Sequence, residues 1–143
     1  MRETTDCYVF PCFNHTFVVF PKNSYKEHTK RHYAIEGDLG RIEIEKTVVS
    51  PTVVTRHTQR FANGGKRRCQ TYYRIVKKKS IGNNKYLYDF WQAVVVNKLV
   101  KMNDKMVRCW SIATAFLEED SPEYAMINTR IETIMHDFRK PIV

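Results

Sequence analysis

The chain has 143 residues, 43% hydrophobic and 13% aromatic, which makes one domain (1–143) with a packed interior and excludes a disordered segment. No apolar run approaches the roughly 18–20 residues of a membrane span, and MRETTDCYVF lacks the apolar core of a signal peptide, so a soluble cytoplasmic protein with no membrane partner is expected. The net charge of +9 is divided: nine Lys or Arg and no acid from Arg56 to Lys79, six acids against three bases from Glu118 to Val143. Such a field draws a polyanion to one side, and nucleic acid leads because phosphate contacts supply most of its non-specific affinity.

In chain order, CYVFPCFNHTFVVF reads as two short strands with a turn near Phe13-Asn14 and with Pro11 at an edge or strand end. A helix follows from Pro21 onward, capped by Asn23 or Ser24, with Glu27 at capping-box spacing from Ser24. Leu39, Ile42, Lys46 and Val49 fit a second, amphipathic helix that ends before Pro51. Strands are predicted at VVTRH (53–57), CQTYYRIVKKK, FWQAVVVNKL and VRCWSIATAFL, separated by turns at Asn63-Gly64-Gly65, Gly82-Asn83-Asn84 and Asn103-Asp104. SPEYAMINTRIETIMHDF predicts a final helix, with Ser121 as cap, Pro122 in the first position and an Ile127, Ile131, Ile134 face. The expected class is α+β: an N-terminal helical region packed on a twisted antiparallel sheet of about four strands, with a C-terminal helix.

The stretch KEHTKRHY (26–33) concentrates chemistry. On a helix, His28 and His32 lie one turn apart, Arg31 neighbours both, and Tyr25 can pack under the imidazoles. Imidazole exchanges protons near neutral pH, and a guanidinium holds phosphate oxygens and offsets charge in a transition state. RNA supplies its own nucleophile, the 2′-hydroxyl, so a base, an acid and a cation suffice to cleave it with no cofactor. The same histidines also stand near a zinc-finger pattern with Cys7 and Cys12, although the gap of fifteen residues exceeds the usual roughly twelve. Otherwise Cys7, Cys12, Cys69 and Cys109 read as buried free thiols.

Over residues 17–118 the ordered series His28-Thr-Lys-Arg31-His32, SPTVV at 50–54, Tyr72-Tyr73-Arg74, QAVVVN at 92–97 and IATAF at 112–116 resembles the barnase–EndoU–colicin–RelE-like (BECR) ribonuclease superfamily, phage and polymorphic-toxin type. The resemblance implies that His28, Arg31 and His32 serve proton transfer and phosphate binding. It implies that Thr114 bonds a non-bridging phosphate oxygen, and that the setting is a toxin or phage effector with an acidic inhibitor protein. Around that centre, Arg74 is expected on a central strand facing the site, with Tyr73 on the opposite face. Arg56 and His57 stand at a strand end, His57 as a second candidate acid, and Lys66, Arg67 and Arg68 are expected to track the RNA backbone. Tyr33, Glu36, Asp38 and the acidic last segment depart from the family pattern.

The leading expectation is therefore a metal-independent endoribonuclease. The alternatives are a basic nucleic-acid-binding module without catalysis, in which Tyr72, Phe90 and Trp91 stack on bases, and a small zinc-stabilised regulator built on Cys7, Cys12, His28 and His32.

Overall fold

The structure, a computed structural model, describes residues 2–32, 35–60, 62–120 and 133–138. Eight strands and two helices are found among them: β1 (Arg2–Glu3), β2 (Cys7–Pro11), β3 (Phe17–Pro21), α1 (Lys22–Thr29), α2 (Gly37–Val49), β4 (Val53–Arg60), β5 (Lys66–Gly82), β6 (Lys85–Met102), β7 (Lys105–Asp120) and β8 (Thr133–Asp137). All strands join one sheet in the order β1-β2-β3-β7-β6-β5-β4-β8. The pairings are antiparallel except β3 with β7, which run parallel through Val18↔Trp110 and Val19↔Ser111.

This overturns the expected class in three ways. The sheet has eight strands rather than about four. The N-terminal segment supplies strands that extend the sheet past β7, so it is not simply a helical region. The expected C-terminal helix is contradicted at Thr133–Asp137, which pairs with β4 as a strand; the remainder of that prediction, 121–132, lies outside the described residues. Ile134 and its neighbours are β-branched or long apolar residues that suit either period, and pairing with β4 decides between them.

The β4–β7 meander follows from local sequence. Val, Ile, Tyr and Thr recur along its strands, and its tight turns use residues that accept positive φ. Asn83 and Asn84 have φ of 50° and 60°, and Asn103 and Asp104 have 50° and 66°, the left-handed pair that joins right-twisting strands. The β4–β5 turn is closed by the Gly65 N–H, which donates to Asn63 Oδ1 at 2.9 Å.

Both helices lie in the connection from β3 to β4, and the principal core forms under them. Phe10, Val18, Phe20, Tyr25, Ile44, Val48, Val54, Tyr72, Trp91, Val95 and Ile112 belong to it. Alternate strand residues form two smaller clusters on the other face: Val53, Tyr73, Tyr88 and Phe90, and Cys7, Val9, Val19, Val100 and Cys109.

α1 begins at Lys22, ahead of both expected caps, Asn23 and Ser24, and no side chain caps it. Pro21, at φ −57°, passes the strand straight into the helix, and the Lys22 N–H donates to the Asp6 carbonyl at 2.9 Å. α2 forms where predicted, but it buries a different face. Leu39 is 79% exposed, and Ile42 and Val49 are also exposed, whereas Gly40, Ile44, Thr47 and Val48 are buried. An apolar stripe read from sequence omits the Gly and Thr on the true face. Gly40 is there for clearance: a Cβ would stand 2.1–2.2 Å from the backbone carbonyl of Ile35. Thr47 is there for polarity. Its hydroxyl donates to the Glu43 carbonyl at 2.8 Å and accepts Arg74 Nε at 3.2 Å.

Arg74 ties α2 to β5. Its Nη2 pairs with the Glu43 carboxylate and also donates to the Glu43 carbonyl at 3.3 Å. Burial raises the Glu43 pKa, but the bond and charge of Arg74, aided by Lys46, outweigh it and leave the carboxyl below its ordinary range. A depressed carboxylate stabilises the fold above its unfolded pKa and loses that contribution as pH falls through the folded value. The stability gap between wild type and Glu43→Gln should therefore be full near neutral pH and shrink below about pH 4, read from urea midpoints across pH. Gly40→Ala should cost about 1–3 kcal/mol through overpacking at Ile35, seen as a lower urea midpoint at unchanged slope.

Candidate functional site

The histidine pair sits beside β7, past its pairing with β3 at Trp110 and Ser111. α1 ends at Thr29, so the histidines do not share a continuous helix as expected. The turn nevertheless continues: the N–H groups of Arg31 and His32 both donate to the His28 carbonyl, at 3.0 and 2.9 Å. The two imidazoles stack 6.4 Å apart at 29° between planes. His28 packs edge-on against Phe20 at 5.9 Å, and His32 lies over Phe116 at 5.3 Å and 24°. Both are partly exposed, and Arg31 is exposed beside them.

Tyr25 does not lie under the imidazoles as expected. It is buried against Tyr8 and Phe20 and donates its hydroxyl to the Ile35 carbonyl at 2.5 Å. That bond holds the far side of the turn, where Ile35 is fully buried. The histidine segment is thus fixed at both ends, by the strand-to-helix junction at Pro21 and by Ile35.

His28 Nδ1 lies 2.9 Å from the Ser24 carbonyl oxygen. A carbonyl only accepts, so Nδ1 carries the proton, and the lone pair of neutral His28 is on Nε2. In the neutral ring Nε2 is therefore the His28 nitrogen left free to accept a proton.

The face on which Thr114 lies is set by a bulge. Val94 pairs with Thr114 but Val95 pairs with Ile112, which leaves Ala113 as an extra residue on β7. Without it, Thr114 would share a face with Ile112 in the main core. With it, Thr114 shares a face with Phe116, two residues along or about 7 Å, and Phe116 is the platform of His32.

The expected substrate-binding residues separate. Arg74 and Tyr73 do point to opposite faces, but the Arg74 guanidinium is committed to Glu43 and Thr47 and is a structural clamp. His57 and Arg56 lie on opposite faces of β4, His57 opposite Cys69 and Arg56 opposite Gln70. Lys66, Arg67 and Arg68 line an open groove of about 620 Å³ together with Lys98, Arg108 and Trp110. Sequence reading missed the last three. Lys98, Arg108 and Trp110 sit on strands read as buried, and only the sheet order brings them beside the β4–β5 hairpin. Tyr72, Phe90 and Trp91, offered as base-stacking aromatics, are 2%, 1% and 5% exposed and are core residues.

The Cys2His2 set is not assembled. Cys7 packs with Val19 and Cys109 on one face of the sheet, while Cys12 packs under the helices near the Tyr72 hydroxyl at 3.7 Å. Among the described residues, no three His, Cys, Asp or Glu converge with metal-ligand geometry. All four cysteines are buried and unpaired by disulfides, and desolvation raises the thiol pKa of Cys7, Cys12 and Cys109, which keeps them protonated. Among the described residues, no helix is long and apolar enough to cross a membrane. No protein family, curated protein or solved structure matches this chain.

The tautomer assignment is directly measurable. Long-range ¹⁵N–¹H correlation at alkaline pH should show His28 protonated on Nδ1 and bare on Nε2. A reversed pattern would remove the hydrogen bond to Ser24 and the acceptor role with it.

Proposed function

We propose that the protein is a metal-independent endoribonuclease that cleaves by attack of the RNA 2′-hydroxyl. The stacked His28–His32 pair carries this reading, because it places one imidazole of defined tautomer next to a second on an aromatic platform. His28 Nε2 takes the 2′-hydroxyl proton as the 2′-oxygen bonds to phosphorus. The bond to the 5′-oxygen breaks, and His32 delivers the proton that this oxygen needs to leave. The products are a 2′,3′-cyclic phosphate and a 5′-hydroxyl. Arg31 offsets charge on the phosphoryl oxygens, and the Thr114 hydroxyl bonds one of them. Lys66, Arg67, Arg68 and Arg56 attract the RNA, with His57 on the face of β4 opposite to Arg56. The same residues support the likeness to BECR ribonucleases of phage and polymorphic toxins; on that reading the setting is a toxin or phage effector held by an acidic inhibitor.

One observation favours a second reading, a nucleic-acid-binding module without catalysis. The basic groove meets β7 at Arg108 and Trp110, six residues from Phe116, which is about 20 Å of strand. Binding and the histidine pair therefore occupy different parts of the sheet.

The two readings separate in one assay. The purified protein should cleave single-stranded RNA in EDTA and leave cyclic phosphate ends. His28→Ala and His32→Ala should each lower kcat by about 10²–10⁴-fold, and Thr114→Val by a smaller factor. Tight RNA binding with no cleavage by wild type would instead establish the binding module.

A further inference from the structure

The groove arises from a fork in the sheet. The β5–β6 register runs from Gly82↔Lys85 to Cys69↔Val96 and stops there. Beyond that point Lys66–Arg68 remain paired to β4, through Arg60↔Lys66, Gln59↔Arg67 and Thr58↔Arg68. Asn97–Met102 remain paired to β7, through Asn97↔Trp110, Leu99↔Arg108 and on to Met102↔Lys105. The two hairpins part, and the cleft between them is the groove.

Its lining is chemically one-sided. Five of its eight lining residues are Lys or Arg and none is acidic. Like charges gathered around one cleft repel, and among the described residues of the lining none is a carboxylate. Arg108 Nη1 donates to Asn97 Oδ1 at 3.3 Å, which holds that guanidinium against the β6 wall. Trp110 forms an apolar surface in the same lining and is only partly packed against the main core. Cations on several sides with an aromatic face between them is the composition that holds a single-stranded nucleic acid, phosphates on the cations and a base on the ring.

We propose that this fork is an exosite for single-stranded RNA, in which Trp110 stacks on one base while Lys66, Arg68 and Arg108 hold the flanking phosphates. The choice of RNA as the ligand rests on the endoribonuclease reading; the binding geometry does not use His28 or His32. The cleft is of small-ligand size, 620 Å³, which suits one or two unpaired nucleotides better than the breadth of a duplex.

The test uses the full chain and a 2′-O-methyl single-stranded 12-mer, which binds but lacks the nucleophile, so the outcome is independent of cleavage. Binding should quench tryptophan fluorescence, and the signal belongs to Trp110 because Trp91 is buried. Trp110→Ala should weaken binding about 5–100-fold. Trp110→Phe, which keeps the packing, should weaken it less and serves if the alanine variant does not fold. Lys66→Glu with Arg108→Glu should weaken binding more than tenfold. Neutralising one of these cations should reduce the slope of log affinity against log salt by about 0.7. Wild-type affinity in the double charge reversal, absence of quenching, or equal affinity for duplex RNA would each overturn the exosite. Loss of cleavage in the histidine variants with groove binding intact would leave it standing, and failure of groove binding with cleavage intact would sink the exosite alone.

Discussion

The seating of α2 on β5 is the contact on which the rest of the helix face depends. Arg74 reaches from the strand to the Glu43 carboxylate, the Glu43 carbonyl and the Thr47 hydroxyl. Ile44 and Val48 fill the core beside it, and Gly40 lets the helix approach the Ile35 carbonyl. A half-buried guanidinium with three acceptors resists displacement, because moving it would leave a charge poorly solvated. Ile35 is in turn gripped by the Tyr25 hydroxyl, and Tyr25 belongs to α1. The seat of α2 is thus transmitted to α1 through one turn. That turn carries His28, Arg31 and His32, so the geometry of the candidate site is a consequence of how a neighbouring helix is clamped.

The arginines divide into two groups by environment. Arg74 and Arg41 are consumed internally: Arg41 pairs with Asp38, donates to the Tyr25 hydroxyl and lies over the Tyr8 ring at 4.8 Å. Their charge holds elements together and adds little to the external field. The groove cations line one cleft with no acid among the described lining residues. Net charge alone does not distinguish the groups, and it is the second group that gives the molecule a basic side.

Irregularities in the sheet place both candidate regions. The Ala113 bulge turns Thr114 and Phe116 out of the main core, and the Phe116 ring meets His32. The early end of the β5–β6 register opens the cleft that Lys66, Arg68, Lys98 and Arg108 line. A perfectly regular meander with this sequence would bury Thr114 under the helices and close the cleft. Bulges and strand ends free side chains that a continuous ladder would commit to packing, and this is why such defects coincide with function.

Much of the local order was legible in the residues. The four meander strands, their Asn-rich turns, the end position of Pro11 and the two helical stretches follow from period, β-branching and tolerance of positive φ, all properties of a few neighbouring residues. The histidine spacing was equally visible, although the helix proved to end at Thr29. What the chain alone did not reveal depends on partners distant in sequence. The parallel β3–β7 pairing extends the sheet, β8 pairs where a helix was expected, and α2 turns Gly40 and Thr47 inward rather than Leu39 and Ile42. Arg74 was read as a ligand-binding cation because sequence shows a charge without showing Glu43 beside it. Lys98, Arg108 and Trp110 looked like strand filler until the order of strands set them against Lys66 and Arg68. Local propensity chose the elements; long-range pairing, burial and charge compensation chose their faces and neighbours, because those energies exist only once segments far apart in the chain are in contact.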